Sequence, residues 1–75
     1  MSLTWGSLRA GDLLLGLGAG DPRVTLITSV TRVPGSDGLV EVRFAVLSEG
    51  QELSTMLGAS WSLLSHTVLA RGPEP

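Results

Sequence analysis

Few residues of this chain have side chains suited to chemistry. His66 is the only imidazole among its 75 residues, and Ser62 and Ser65 are the nearest serines for a Ser-His-Asp arrangement. Neighbouring residues of a strand point to opposite faces, so Ser65 and His66 cannot pair simply in the strand expected here. We interpret His66 as a half-buried strand residue and predict no catalytic site and no small-molecule substrate.

Two carboxylates, Asp12 and Asp21, flank a glycine-rich segment and raise the question of a cation site. Hard cations need more oxygen ligands than two carboxylates provide. Asp12 follows Gly11 and Asp21 precedes Pro22, and both pairs are typical of chain reversals. We predict that both carboxylates shape turns. Since the chain lacks cysteine, thiolate zinc sites and disulfides are also excluded, and we predict no metal or cofactor.

The segment Gly16-Leu17-Gly18-Ala19-Gly20 raises the question of phosphate binding. A dinucleotide loop needs G-x-G-x-x-G between a strand and a helix, and a P-loop ends in Gly-Lys followed by Ser or Thr. Neither pattern is present, and a β-branched run follows Arg23 where a helix would have to begin. We therefore predict that these glycines bend and reverse the chain. A close assembly contact on the bare strand face is the alternative.

A β-hairpin is the clearest element. Residues 40–46 alternate apolar and polar side chains with the period of two of a half-buried strand, and residues 24–33 do so with irregularities at Ile27 and Thr28. The intervening PGSDG, residues 34–38, is rich in turn formers. We predict that Val33 pairs with Leu39. This register puts four apolar side chains on one face, with Val30 opposite Val42 and Leu26 opposite Val46, and leaves Thr25, Ser29 and Thr31 on the polar face.

Three shorter strands complete the expected all-β fold, at residues 13–17, 52–57 and 63–70. A short helix within 52–64 is the alternative to the fourth strand, and one 3₁₀ or other tight turn is expected near residues 57–61. We predict one domain over residues 1–75, with an N-terminal arm at 1–8 and a C-terminal tail at 71–75.

The order of these elements resembles that of SH3-like small β-barrels: short strand, long loop, long hairpin, second hairpin, tight turn and last strand. The resemblance covers residues 8–70 and implies a five-stranded closed or half-closed barrel. SH3 domains proper bind proline-rich peptides with an acidic loop and a run of aromatic side chains. This chain has no tyrosine and only Trp5, Phe44 and Trp61, so that activity is not carried over.

Charge and composition favour association with other proteins. Charged residues make up only 16% of the chain and hydrophobic residues 43%, with a net charge of −2. A chain this short supports only a small core, so burial against a partner or a second copy is expected. The five cations, all arginine, are scattered, which disfavours nucleic-acid binding. Arg23, Arg32 and Arg43 on one hairpin are the candidate contacts for that alternative.

We expect a non-enzymatic structural or interaction module that packs into a larger assembly. Its predicted interface residues are Leu3, Trp5, Leu8, Leu17 and Trp61. Trp5 in the N-terminal arm is the favoured anchor, and its removal is expected to weaken association more than folding; Trp61 is alternatively expected to cap the barrel core.

No apolar run reaches the roughly 20 residues of a membrane span, and synthesis in the cytoplasm is expected. The scarcity of residues with AT-rich codons indicates a GC-rich genome, for which a phage virion accessory or capsid-decorating protein is one expectation.

Overall fold

The protein is an open antiparallel sheet in the computed structural model, which describes residues 3–16, 22–63 and 67–73. Its strands are β1 (Leu13–Leu15), β2 (Val24–Arg32), β3 (Leu39–Val46), β4 (Glu52–Gly58) and β5 (Thr67–Ala70), in the spatial order β4-β3-β2-β1-β5. The predicted all-β fold with five strands is confirmed. The sheet is not closed, because β4 and β5 form its two edges. The helix considered within residues 52–64 is wrong where the structure describes that segment, since β4 occupies 52–58.

The β2–β3 hairpin confirms the predicted turn. The N–H of Val33 donates to the carbonyl of Leu39 over 3.1 Å, and Val30 lies opposite Val42. Gly35 and Gly38 adopt φ values of +77° and +86°, which side chains with a Cβ rarely tolerate. The PGSDG sequence therefore determines where the chain reverses.

A β-bulge at Thr28 changes the register in the second half of this hairpin. Ser29 lies opposite Arg43 and Ile27 lies opposite Phe44, so Thr28 is an extra residue on β2. Leu26 consequently lies opposite Ala45, which makes the predicted pairing of Leu26 with Val46 wrong. Thr25 takes that place and is fully buried, although the alternation pattern assigned it to the polar face. The irregular residues Ile27 and Thr28 were the only trace of this bulge in the sequence.

The glycine-rich segment connects two antiparallel strands. β1 pairs with β2, with Leu15 opposite Val24, and the N–H of Gly16 donates to the carbonyl of Arg23. The predicted reversal is confirmed, and it is incompatible with the parallel strand-helix unit that a dinucleotide loop requires. The predictions for Leu17, Gly18, Gly20 and Asp21 concern positions outside the described residues.

The N-terminal segment is docked against the end of β4. The N–H of Trp5 donates to the carbonyl of Trp61 over 3.0 Å, and the N–H of Gly6 donates to the carbonyl of Ala59 over 2.9 Å. A 3₁₀ turn follows at Trp5–Ser7, where the hydroxyl of Ser7 accepts from the N–H of Thr4 and donates to its carbonyl. Of the two alternatives for residues 57–61, the tight turn is confirmed, since the N–H of Trp61 donates to the carbonyl of Gly58, and the 3₁₀ alternative is wrong there.

The core lies on one face of the sheet under this N-terminal segment. Trp5 and Leu8 are buried at 9% and 5% exposure, which places both in the core. Burying side chains of this kind contributes roughly 1.5–3 kcal/mol each. The remaining buried members of the cluster come from β1, β2, β3 and the segment before β5: Leu14, Ile27, Val40, Val42, Phe44 and Leu63.

Candidate protein-interaction surface

The opposite, outer face of the β3–β4 ladder carries exposed apolar side chains. On β3, Val40 and Val42 point into the core, so Leu39 and Glu41 point outward. Leu39 lies opposite Gly58, and Glu41 lies opposite Met56. Side chains opposite one another on a sheet face have Cβ atoms about 5 Å apart. Leu39 and Met56 therefore border the site above Gly58 from two directions.

The indole of Trp61 fills that site. A Cβ built on Gly58 would lie only 2.5 Å from Cε2 and 2.7 Å from Cδ1 of Trp61, closer than any real carbon contact. The ring therefore covers Gly58, and only glycine leaves room for it. The main chain of Trp61 is held from both sides, because its N–H donates to Gly58 and its carbonyl accepts from Trp5. The turn after β4 thus orients this side chain.

Most of the tryptophan surface remains accessible. Trp61 and Met56 are each 57% exposed, and Leu39 is 36% exposed. We call these three residues the outer patch. The interpretation of Trp61 as a cap on the core is wrong, since its ring lies outside the sheet. Exposed apolar clusters of this kind mark interaction sites more often than scattered apolar residues do, and tryptophan is enriched where binding energy concentrates.

An ion pair borders the outer patch, and Arg32 lies beside it in a cleft that Met56 and Glu41 also line. Glu41, opposite Met56, accepts a hydrogen bond from Nε of Arg43 over 3.1 Å. Both side chains are on the same outer face, two residues apart on β3. A partner covering Leu39 and Met56 would therefore meet the Glu41 carboxylate already paired, which lowers the desolvation cost of binding.

The predicted interface residues have different positions in the structure. Trp5 and Leu8 are in the core, and Leu3 is half-buried and packs against it, so these three offer little free surface. Leu17 falls outside the described residues. Trp61 alone among them is exposed in the described part of the chain. Met56 and Leu39 were missed, because a single apolar residue on the outer face of a strand gives no sequence signal before the strand pairing is known.

The three arginines of the nucleic-acid alternative do not come together. Arg23 precedes β2 and forms an ion pair with Glu49 over 3.3 Å, and Arg43 pairs with Glu41. Arg32 ends β2, nine residues after Arg23, which is about 30 Å along an extended strand. Phosphate binding requires a concentrated positive face. This geometry does not provide one on the hairpin.

Asp12 is the centre of a cluster of hydrogen bonds, and the sequence predicted only some of its contacts. Its Oδ2 accepts the N–H of Arg9 over 2.9 Å, which confirms the expected turn. Its Oδ1 accepts the N–H of Gly72 over 2.6 Å and Nε of Arg71 over 3.1 Å, and these contacts to the C-terminal tail were not predicted. Gly72 is required there because a Cβ would collide with the carbonyl of Ala10.

The hydrogen bonds of Asp12 determine its ionisation. The side chain is fully buried, and burial alone would raise the pKa of Asp12. The N–H groups of Gly72 and Arg9 and the guanidinium of Arg71 outweigh burial and hold the pKa of Asp12 below its ordinary value. A carboxylate with this many donors is a weak base and a weak nucleophile. Its role is to fasten the C-terminal tail to the Arg9–Asp12 turn.

The remaining candidates for chemistry are not assembled in the described part of the chain. Ser62 is exposed and bridges to Thr4, while Ser65 and His66 fall outside the described residues. Among residues 3–16, 22–63 and 67–73, no three His, Asp or Glu side chains could share a metal ion. No helix in those same ranges is long and apolar enough to cross a membrane.

Comparison with known proteins adds no assignment. No protein-family model matches the chain, and neither a curated protein nor a solved structure matches it. The class that the structure itself defines is a small all-β protein with an exposed, glycine-seated tryptophan on the outer face of its sheet.

Proposed function

We propose that this chain is a non-enzymatic interaction module that packs into a larger protein assembly through the outer patch. The partners that it contacts directly there are other copies of the same chain. The observation that carries the proposal is the position of Trp61. Its indole lies over Gly58, oriented by two main-chain hydrogen bonds, with 57% of its surface exposed. A tryptophan held in place before binding loses little conformational freedom when a partner covers it.

The partner chemistry follows from what surrounds the ring. Leu39 and Met56 extend the apolar surface, and the Glu41–Arg43 ion pair lies at its margin. A matching surface is apolar, weakly charged and concave enough to receive an indole. The outer patch of a second copy meets the requirement for an apolar surface, and a two-fold contact would set each indole beside the Leu39 and Met56 side chains of the other copy.

We also propose that the fold is an opened SH3-like small barrel. Its support is the strand order, in which the last strand pairs with the first beside a three-stranded meander, and the docked segment 3–6, which hydrogen-bonds to residues 59–63. A phage virion is one multi-copy setting in which such a module would act, a proposal that depends only on composition.

Sedimentation velocity over a concentration series tests the interaction proposal. We expect the wild-type chain to associate, and Trp61→Ala and Gly58→Ala each to weaken association at least about tenfold, or 1.4 kcal/mol. Gly58→Ala acts by displacing the indole, and Gly58 has no positive φ that would strain the backbone of the variant. The matched control is Leu69→Ala, a 49% exposed leucine on β5, which should associate like wild type.

Two results would overturn the proposal. The first is a wild-type chain that stays monomeric at about 1 mM, where even a contact worth about 4 kcal/mol would be half-populated. The second is equal association of wild type, Trp61→Ala and Leu69→Ala. Circular dichroism of each variant shows whether a loss of association reflects a loss of fold.

A further inference from the structure

Within residues 3–16, 22–63 and 67–73, no strand pairs with the outer edge of β4, and this free edge presents main-chain groups to the outside. β4 is the terminal strand of the sheet, with β3 on one side only. The N–H of Ala59 donates to the carbonyl of Gly38. This bond identifies which alternate residues of β4 direct their main-chain groups toward β3. In an antiparallel pair, alternate residues direct their N–H and C=O groups to the neighbour. Leu57, Thr55 and Leu53 therefore bond to β3, while the main-chain groups of Ser54 and Met56 point away from the sheet.

This edge lacks the features that discourage strand pairing. Natural edges are protected by charges, proline, bulges or short length. β4 has seven residues, and its register against β3 is continuous. Glu52 at its start is its single charge, and it contains no proline or lysine. Five of its residues in succession are exposed. A long, regular and nearly neutral edge of this kind is a template for another strand.

The core face beside this edge is also incompletely covered. An apolar cavity of about 210 Å³ lies between the sheet and the N-terminal segment, and its walls include Trp5, Ile27 and Phe44. Thr55 and Leu57 of β4 line the same cavity at the free edge of the sheet. Leu53, on the same face of β4, is 38% exposed. Apolar surface thus continues from the core to the edge of the sheet.

We propose that two copies of this chain pair antiparallel through β4, about a two-fold axis at Thr55. In this register Ser54 of one copy exchanges both main-chain hydrogen bonds with Met56 of the other. Leu53 lies opposite Leu57 of the second copy on the core face. The two Glu52 carboxylates lie at opposite ends of the paired strands, about 20 Å apart, beyond the roughly 8 Å Debye length at physiological salt.

Neighbouring registers are less favourable. If the two-fold axis passes through Ser54, Leu53 lies opposite Thr55 of the second copy, and no apolar residue of the second copy lies opposite Leu57. Centring the axis on Leu53 brings Glu52 opposite Ser54, closer to the second Glu52, and leaves the C-terminal half of β4 unpaired. Only the Thr55-centred register aligns both leucines of one copy with leucines of the other, so that each copy covers the edge of the other's cavity.

The length of β4 and the leucines on its core face determine the size of the contact. A stable interface buries about 600 Å² or more per partner, which is roughly an eighth of the 4696 Å² surface of this chain. A seven-residue strand is about 24 Å long, and the leucines on its core face add width. The dimer would contain one continuous sheet in which both outer patches lie on the same side. The inference does not depend on the proposed function, because strand pairing uses the main chain of β4, including that of Met56, whereas the outer patch uses the side chains of Leu39, Met56 and Trp61.

Cysteine cross-linking tests the register in a chain that has no cysteine of its own. Opposed residues of a non-hydrogen-bonded pair have Cα atoms about 4.5 Å apart, within the range for a disulfide. In a glutathione redox buffer, Thr55→Cys should form a covalent homodimer almost completely. Thr31→Cys, an exposed control on the outer face of β2, should remain largely monomeric. An equimolar mixture of Leu53→Cys and Leu57→Cys should yield mixed dimers, and neither variant alone should.

A proline substitution tests the hydrogen bonds. Ser54→Pro removes an N–H that points away from β3, so the ladder within the chain is retained while dimerisation should weaken at least about tenfold.

Equal cross-linking of Thr55→Cys and Thr31→Cys would overturn the inference, as would self-linking of Leu53→Cys that exceeds the mixed product. If the Trp61→Ala variant no longer forms oligomers larger than a dimer while Thr55→Cys still cross-links, both proposals stand. If Trp61→Ala and Gly58→Ala abolish all association and Thr55→Cys does not cross-link, only the patch proposal survives.

Discussion

The two tryptophans show how the same residue type takes opposite roles. The main-chain hydrogen bonds from residues 5 and 6 to the 59–61 turn bring Trp5 beneath the sheet. The same turn places the ring of Trp61 on the other side, over Gly58. The expectation that Trp5 anchors a partner from a free arm is therefore replaced by a role in the core, because its ring is 9% exposed within the single chain.

Trp5→Ala should primarily affect folding. Truncating a buried tryptophan costs about 3–5 kcal/mol, since the removed ring leaves a cavity. We expect a loss of that size in the free energy of unfolding, measured by urea denaturation with circular dichroism. Trp61→Ala is the control and should change it by less than about 1 kcal/mol, as exposed substitutions do. A Trp5→Ala chain with wild-type stability and reduced association would restore the original expectation.

Asp12 should make stability depend on acid pH. Because the pKa of Asp12 is lowered in the folded chain, its contribution is present above the ordinary aspartate value of about 3.9 and is lost as the pH falls through the folded value. Asp12→Asn leaves donors of Arg9 or Gly72 unmatched, which should cost about 2–3 kcal/mol at pH 7. The difference from wild type should shrink below about pH 4.

The matched control is Asp37→Asn, in the exposed hairpin turn, which should leave stability within about 0.5 kcal/mol of wild type. Denaturant titrations from pH 7 to pH 3 give the comparison. A difference between wild type and Asp12→Asn that stays constant across this range would show that the charge of Asp12 does not stabilise the fold.

At the scale of elements, the bulge on β2 decides which side chains enter the core. The extra residue Thr28 lets Ile27 and Val30, three apart, lie opposite the core residues Phe44 and Val42. It also carries Thr25 into a fully buried position opposite Val46. A strict period of two cannot represent this shift, so the alternation rule is reliable only on the turn side of the bulge.

Thr25→Val should stabilise the protein. The hydroxyl of Thr25 is buried and has no hydrogen-bond partner among the described residues. Valine has nearly the same shape without the desolvated hydroxyl and is at least as favourable in a strand. We expect the free energy of unfolding to rise by about 1 kcal/mol. Thr31→Val, on the exposed outer face of the same strand, is the control and should have little effect. A destabilised Thr25→Val chain would indicate that the hydroxyl does have a partner.

At the scale of the whole molecule, low charge and paired ions make apolar contacts the expected basis of association. Two of the three hairpin arginines are paired, Arg23 with Glu49 and Arg43 with Glu41. Raising NaCl from about 0.1 to 1 M shrinks the Debye length from about 10 to 3 Å. Self-association measured by sedimentation should change by less than about twofold or strengthen slightly. A tenfold weakening would point to charged contacts instead.

The local chemistry of the sequence determined most strand positions, the PGSDG reversal, the turn at Asp12 and the reversal between β1 and β2. These features depend on neighbouring residues, through side-chain alternation and the φ preferences of glycine and proline. The tertiary structure alone decided the bulge register, the exchange of roles between Trp5 and Trp61, the outer patch and the attachment of Gly72 to Asp12. Each of these depends on which distant segments hydrogen-bond to each other, and pairing between residues as far apart as 12 and 72 leaves no periodic signal in a single sequence.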